Sequence, residues 1–383
     1  MKKIMTVILS LSVFLTMPAM VFGASSYSVS LSTIDSIVSQ SSSYARDAVD
    51  KQNAEQSSYN YYASALIEET KSLNSYNARL QNPDPNDDYD KLLELIKACQ
   101  DNIASYKSQM IQSQFNISQI SMDNSMSLAQ QGETAKEAYI KYLQALDSRN
   151  DLRASITREK KKVRIARRKY KKGIISRSAL NTEKQALEDL SDQMDDINAQ
   201  ISDAHAALID ALGVADDSSL QVHSLSAADL SAFAAARKYN YTADAASVLS
   251  NSVELRKARA TVNYQASRIS TAADANEKVK ATADYNDAVK NLNVVTEKAR
   301  KSFKSQYDSL QSGIKSVLKN DKKIARAKKS RKIAARKYRY GLISRNEYRS
   351  AADAYKEAQI ARQKAIVDLL PQIMKYQLTV KGY

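Results

Sequence analysis

The sequence predicts an all-α protein made of two repeated long antiparallel helical hairpins, packed as a coiled coil or an extended bundle. Three observations predict it. A short motif occurs twice, RIARRKYKKGIISR at residues 164–177 and KIAARKYRYGLISR at residues 332–345, with nine of fourteen positions identical at an offset of 168. Glycine and proline are scarce, 7 and 4 in 383 residues, while Ala, Ser, Lys, Asp and Leu dominate. That profile suits long helices rather than sheets. Residues 89–172 also run without a proline and with one glycine, Gly132. At 1.5 Å per residue such an arm reaches roughly 120 Å, too long for an ordinary compact domain.

Residues 1–23 read as a secretory signal. Lys2 and Lys3 form its charged start, residues 4–15 its apolar run, and Val21-Phe22-Gly23 its cleavage site. An uncleaved anchor is the other reading, against which Pro18 and the small residues after it argue. No later apolar run is long enough for a helix to cross a bilayer. Either way the chain is expected to leave the cytoplasm for the cell envelope. The one cysteine, Cys99, excludes an internal disulfide framework. A net charge of +15, two units of it in the signal, asks for an anionic neighbour. Outside the cytoplasm that is not nucleic acid but lipid head groups, wall polymers or an acidic protein surface.

The first repeat is expected over residues 24–213. Ser30-Leu31-Ser32 opens a helix that runs to about Leu80. Asn82-Pro83-Asp84-Pro85-Asn86-Asp87-Asp88 must end it, because a residue before proline leaves the helical region. The long arm follows, closed by Gly173. After it, Leu180, Leu187, Leu190, Met194, Ile197, Ile201, Ala204 and Leu208 form an a/d seam for side-by-side packing. Gly213 ends that helix, and residues 215–219 form a loop.

The second repeat, residues 214–383, follows the same plan. Helices are expected over residues 227–237 and from about Ser252, with a turn between residues 270 and 276. A long arm then runs to Tyr340, and a last helix spans residues 345–370, where Pro371 should kink or end it. From its opening serine to its glycine the first repeat takes 143 residues and the second 117. The excess lengthens the first hairpin by about 20 Å at the end away from the glycines.

Each motif reads as helix, apolar two-residue turn, helix. Gly173 and Gly341 supply the left-handed backbone that closes a helix. Ser176 and Ser344 cap the next one, and Glu347 completes a capping box. Ile174-Ile175 and Leu342-Ile343 then sit at hairpin tips. Either they dock a partner or they fold back on their own helices. Basic residues crowd both tips, among them Arg167, Arg168, Lys171, Lys172, Arg177, Arg336, Lys337, Arg339 and Arg345. They are either a solvated face, favoured in part by helix C-termini, or a collar for an anionic membrane surface or acidic partner. Nothing in the sequence forms a catalytic constellation. His205 and His223 lack the carboxylates of a metal site, Cys99 has no nearby histidine, and no glycine loop cradles phosphate. The chain is read as a non-enzyme without metal or cofactor.

Tyr-x-x-Gly-aliphatic-aliphatic-Ser, doubled and followed by an a/d helix, resembles the TolC outer-membrane efflux family. Ala138-Tyr139-Ile140-Lys141-Tyr142, Leu212-Gly213 and the run from Ser252 to Ala260 fit the same pattern, with Ser-Val where the family has Asn-Pro. The resemblance implies that the chain is the protomer of a coiled-coil α-barrel, a homotrimer whose twelve helices ring a hollow. It implies tips, Gly173 to Ser176 and Gly341 to Ser344, that meet a periplasmic adaptor (membrane fusion) protein of an ABC-type or proton-driven inner-membrane transporter. The family's membrane strands lie between the short and long helix of each half. Here those places are residues 81–90, too short and acidic, and residues 261–286, which lack a sustained alternation. The expectation is a duct without the β-barrel, not integral to an outer membrane. The alternative is a secreted coiled-coil scaffold or spacer of the cell envelope without transport activity.

Overall fold

The computed structural model describes residues 26–41, 43–84, 87–214, 219–272 and 274–383. The expected signal, Pro85-Asn86 and residues 215–218 of the loop expected at 215–219 lie outside the described residues, and Ser219 opens a strand. The elements, in order, are β1 (Ser26–Val29), α1 (Ile34–Ser41), α2 (Ser43–Gln81), α3 (Tyr89–Lys171), α4 (Arg177–Leu212), β2 (Ser219–Val222), α5 (Ala227–Ala236), α6 (Tyr241–Asn251), α7 (Val253–Thr271), α8 (Ala275–Arg339) and α9 (Arg345–Lys381). Among the described residues the chain is thus all-α but for two four-residue strands, and no closed barrel of strands forms there. No described helix is long and apolar enough to cross a membrane.

The core sits in a belt where the two halves meet. β1 and β2 pair in parallel, Ser26 opposite Ser219 and Val29 opposite Val222. Below them Val29, Ile34, Val38, Tyr139, Ile140, Leu208, Leu212 and Leu370 are buried together, bringing α1, α3, α4 and α9 into one cluster. A second cluster, with Phe233, Val248, Phe303, Leu310, Ile314, Leu369, Ile373 and Tyr376, joins α5, α6, α8 and α9. Tyr139 donates its hydroxyl to the His223 carbonyl at 2.7 Å, locking α3 to the residue after β2. The Tyr376 hydroxyl donates to Asp244 Oδ2 at 2.7 Å.

From this belt the arms extend both ways. On one side α2 and α3 form one hairpin and α7 and α8 the other, with α3 packed on α7. Phe115 stacks on Tyr264 with ring centroids 4.4 Å apart, and the Tyr264 hydroxyl donates to Gln112. From that level α7 ends within eight residues, at Thr271, while α3 begins more than twenty residues away, at Tyr89. The α2–α3 hairpin therefore overhangs by about 25 Å.

Three boundaries depart from the sequence reading. β1 and β2 were not expected; residues 30–33 form a turn and α1 begins at Ile34. A separate helix, α6, precedes α7, opened by Asn240, whose Oδ1 accepts from the amides of Thr242 and Ala243. Pro371 does not end α9, which continues ten residues past it to Lys381. Proline removes one helical hydrogen bond, but Leu369, Leu370, Ile373 and Tyr376 are all buried around it. Packing on that scale outweighs the lost bond.

Candidate functional site: the paired hairpin tips

The two glycine turns have nearly the same geometry. α3 is capped by Lys172, after which Gly173 has φ 69°. The Gly173 amide donates to the Tyr170 carbonyl and the Ile174 amide to the Lys169 carbonyl, both at 2.9 Å. Around Gly341, φ 71°, the Gly341 amide donates to Tyr338 O at 3.0 Å and the Leu342 amide to Lys337 O at 2.9 Å. These paired bonds satisfy the last carbonyls of each helix. Ser176 Oγ then accepts from the Ala179 amide at 3.1 Å. Ser344 Oγ accepts from the Glu347 amide at 3.2 Å, and Glu347 Oε2 accepts from the Ser344 amide at 2.7 Å. That backbone bond holds the Glu347 carboxyl below its ordinary range.

The four apolar tip residues differ in exposure. Ile175 and Ile343 are half-buried. Ile174 and Leu342 are 64% and 71% exposed. No atom lies within 4 Å of where a Cβ on Gly173 or Gly341 would stand. The glycines are there for their backbone angle, and the space over each tip is open.

Both tips point the same way and reach the same level. Gln144 Nε2 donates to Asp368 Oδ1 at 2.8 Å, and Glu133, earlier in α3, senses Lys375, later in α9. α3 and α9 are therefore antiparallel at the belt. From Gln144 to Gly173 is 29 residues, and from Asp368 back to Gly341 is 27. At 1.5 Å per residue the tips stand about 40–44 Å from that level and differ in height by about 3 Å.

The nine collar residues are all exposed, and none forms an ion pair among the described residues. Arg168, Lys169, Lys171 and Lys172 line a shallow groove with Ile165 and Ile174. On the second hairpin Tyr338 stacks on Tyr348 at 5.5 Å, and the Arg331 guanidinium lies 4.6 Å over the Tyr355 ring. These contacts stiffen the last turns of α8 against α9.

The other candidate side chains are dispersed. His205 lies against Tyr142, His223 Nε2 is 2.9 Å from Ser28 Oγ, and Cys99 is buried in the overhang with its thiol pushed up by burial. No group of three metal-ligating side chains occurs among the described residues. One titratable group escaped the sequence reading. Glu133 is pushed up to about 7, chiefly by burial, beside the ion pair of Lys136 and Asp35 at 2.6 Å. Asp35 is a hundred residues away in the chain, so only the fold brings it near.

No protein-family model matches the sequence, and no curated protein does. Solved structures do. The outer-membrane channel OprN superposes with TM-score 0.57 at 11% identity, over 92% of this chain and 90% of that one. A membrane protein from Pseudomonas aeruginosa gives 0.52 at 13% identity, over 73% of each chain. The Campylobacter jejuni CmeC outer membrane channel gives 0.50 at 13%, over 73% of this chain and 68% of that one. At such identities the likeness is one of fold alone.

Proposed function

We propose that this chain is a TolC-like duct component of an efflux or export system in the cell envelope. Its hairpin tips dock to an adaptor protein of an inner-membrane pump. The observation that carries this reading is the pair of glycine turns, alike in backbone and level at one end of four long rods. A protein that merely spaces two surfaces needs no such matched pair. Trimerisation turns two matched tips into a ring of six. Each tip offers an exposed aliphatic side chain, Ile174 or Leu342, inside a basic collar. The partner that fits is a helical hairpin with an apolar tip and carboxylates around it. The duct does no chemistry: the pump supplies energy, and the duct supplies a passage. The likeness of fold to outer-membrane channels supports the reading.

The test is photo-crosslinking in the native cell, with a photoreactive amino acid at position 174 or 342. Mass spectrometry of the adducts is expected to identify an adaptor of an inner-membrane pump. Adducts to wall polymer alone, or none at either tip, would favour the envelope scaffold and end the duct reading.

A further inference from the structure

On the tip side of the belt the chain reduces to four rods. α3 packs on both α4 and α9, and α9 packs on α8. The lateral order is α4, α3, α9, α8, which leaves α4 and α8 as the two free edges. Their charges are opposite. α4 holds eight carboxylates and two cations. Between residues 315 and 339 α8 holds twelve cations and one carboxylate, Asp321, already engaged by Arg362.

The charges also match in height. Glu188, Asp192 and Asp195 lie 15, 19 and 22 residues beyond Gly173. Arg326, Lys322 and Lys319 lie 15, 19 and 22 residues before Gly341. Because the tips are level, the three carboxylates stand at the heights of the three cations. Each trio has the i, i+4, i+7 spacing of one helix face. On a 3.6-residue period each face lies roughly 150–180° around its helix from the seam with its hairpin partner. All six side chains are exposed, and none has an ion-pair partner among the described residues.

We propose that α4 of one copy packs antiparallel on α8 of the next, through the pairs Glu188–Arg326, Asp192–Lys322 and Asp195–Lys319. The occupant of each edge is a second copy of this chain. The two edges differ, so the contact is head to tail, giving a ring where its rotation closes and an open filament where it does not. The inference deepens the duct reading, which needs a ring but does not say what joins it. It also accounts for the excess cations of α8, which α9, itself net basic, does not neutralise. Exposed pairs add little individually, so their work is to set register and exclude wrong edges: α4 against α4 or α8 against α8 brings like charges together.

The test mixes two single-cysteine chains in a Cys99→Ser background, one carrying Asp192→Cys and the other Lys322→Cys, under mild oxidant. A mixed disulfide is expected. The off-register partner Lys337→Cys, about 22 Å further toward the tip, is expected to give none. Separately, Lys319→Glu, Lys322→Glu and Arg326→Glu together are expected to weaken self-association about tenfold or more, and Glu188→Lys, Asp192→Lys and Asp195→Lys in the same chain to restore it. Circular dichroism checks that each variant keeps its helices. Equal yields from the two pairings, no mixed product, or no restoration would overturn the zipper. A trimer that forms without the in-register disulfide would do the same and leave the duct standing. An open filament carrying that disulfide would uphold the zipper and sink the duct.

Discussion

Replacing Gly173 isolates the energetics of the tip, because the site has strain to incur and no neighbour to strike. At φ 69°, with nothing within 4 Å of a new Cβ, the cost to Gly173→Ala is conformational alone. A left-handed backbone costs an L-residue about 1–2 kcal/mol, part of it offset because alanine restricts the unfolded chain. A net loss of about 1 kcal/mol is expected for Ala, about 2 kcal/mol for the β-branched Val, and least for Asn, which tolerates this region. The tip lies about 40 Å from the belt, so the loss should stay local. Native-state hydrogen exchange resolves it. The Ile174 amide, bonded to Lys169 O, should lose protection about fivefold in Gly173→Ala and about thirtyfold in Gly173→Val. Amides around Tyr139 and Leu370 should not change. Gly313→Ala is the control, since its Cβ would meet the Leu369 side chain in the belt and should lower global stability instead. Unchanged protection at Ile174 in the Val variant, or Asn as damaging as Val, would refute the argument that backbone angle alone demands glycine there.

Three further outcomes are expected. Tyr139→Phe should cost about 0.5–1.5 kcal/mol in denaturant unfolding, because it removes the bond from the buried Tyr139 to the His223 carbonyl that ties α3 to the end of β2. Glu133, raised to about 7 in the folded chain from an ordinary 4.5, binds a proton more readily folded than unfolded. Its contribution is therefore full below pH 4.5 and lost as pH rises through 7; Glu133→Gln should flatten that window and gain about 1–2 kcal/mol at pH 8 after solvent screening. Pro371→Ala should raise the melting temperature, as it restores a helical hydrogen bond inside a helix that already continues through the position; a lower melting temperature would mean that the ring itself is needed for packing.

What the sequence made legible was local. A glycine that closes a helix, the serine that opens the next, and the Pro83 break each rest on a few adjacent residues, and the structure shows those turns. The a/d seam of α4 depends only on its own periodicity, and Leu180 and Leu208 at its ends are buried. What escaped was set by distant partners. β1 and β2 are four-residue, serine-containing strands with no alternation long enough to register, and only their pairing across 193 positions makes them strands. Pro371 looked like a terminus because the buried residues holding α9 together meet α5, α6 and α8 from elsewhere in the chain. Of the tip, the turn was readable but not which aliphatic residue stays exposed, since Ile174 and Ile175 are the same residue type and only the folded turn sets them apart.

The claim beneath all of this is that two level, glycine-closed hairpins set their rods around an opening. Single-particle electron microscopy of the assembled chain tests it most directly. The expected image is a threefold ring of twelve rods with an unfilled lumen and six tips at one end. A compact closed bundle with apolar side chains filling its axis would contradict it.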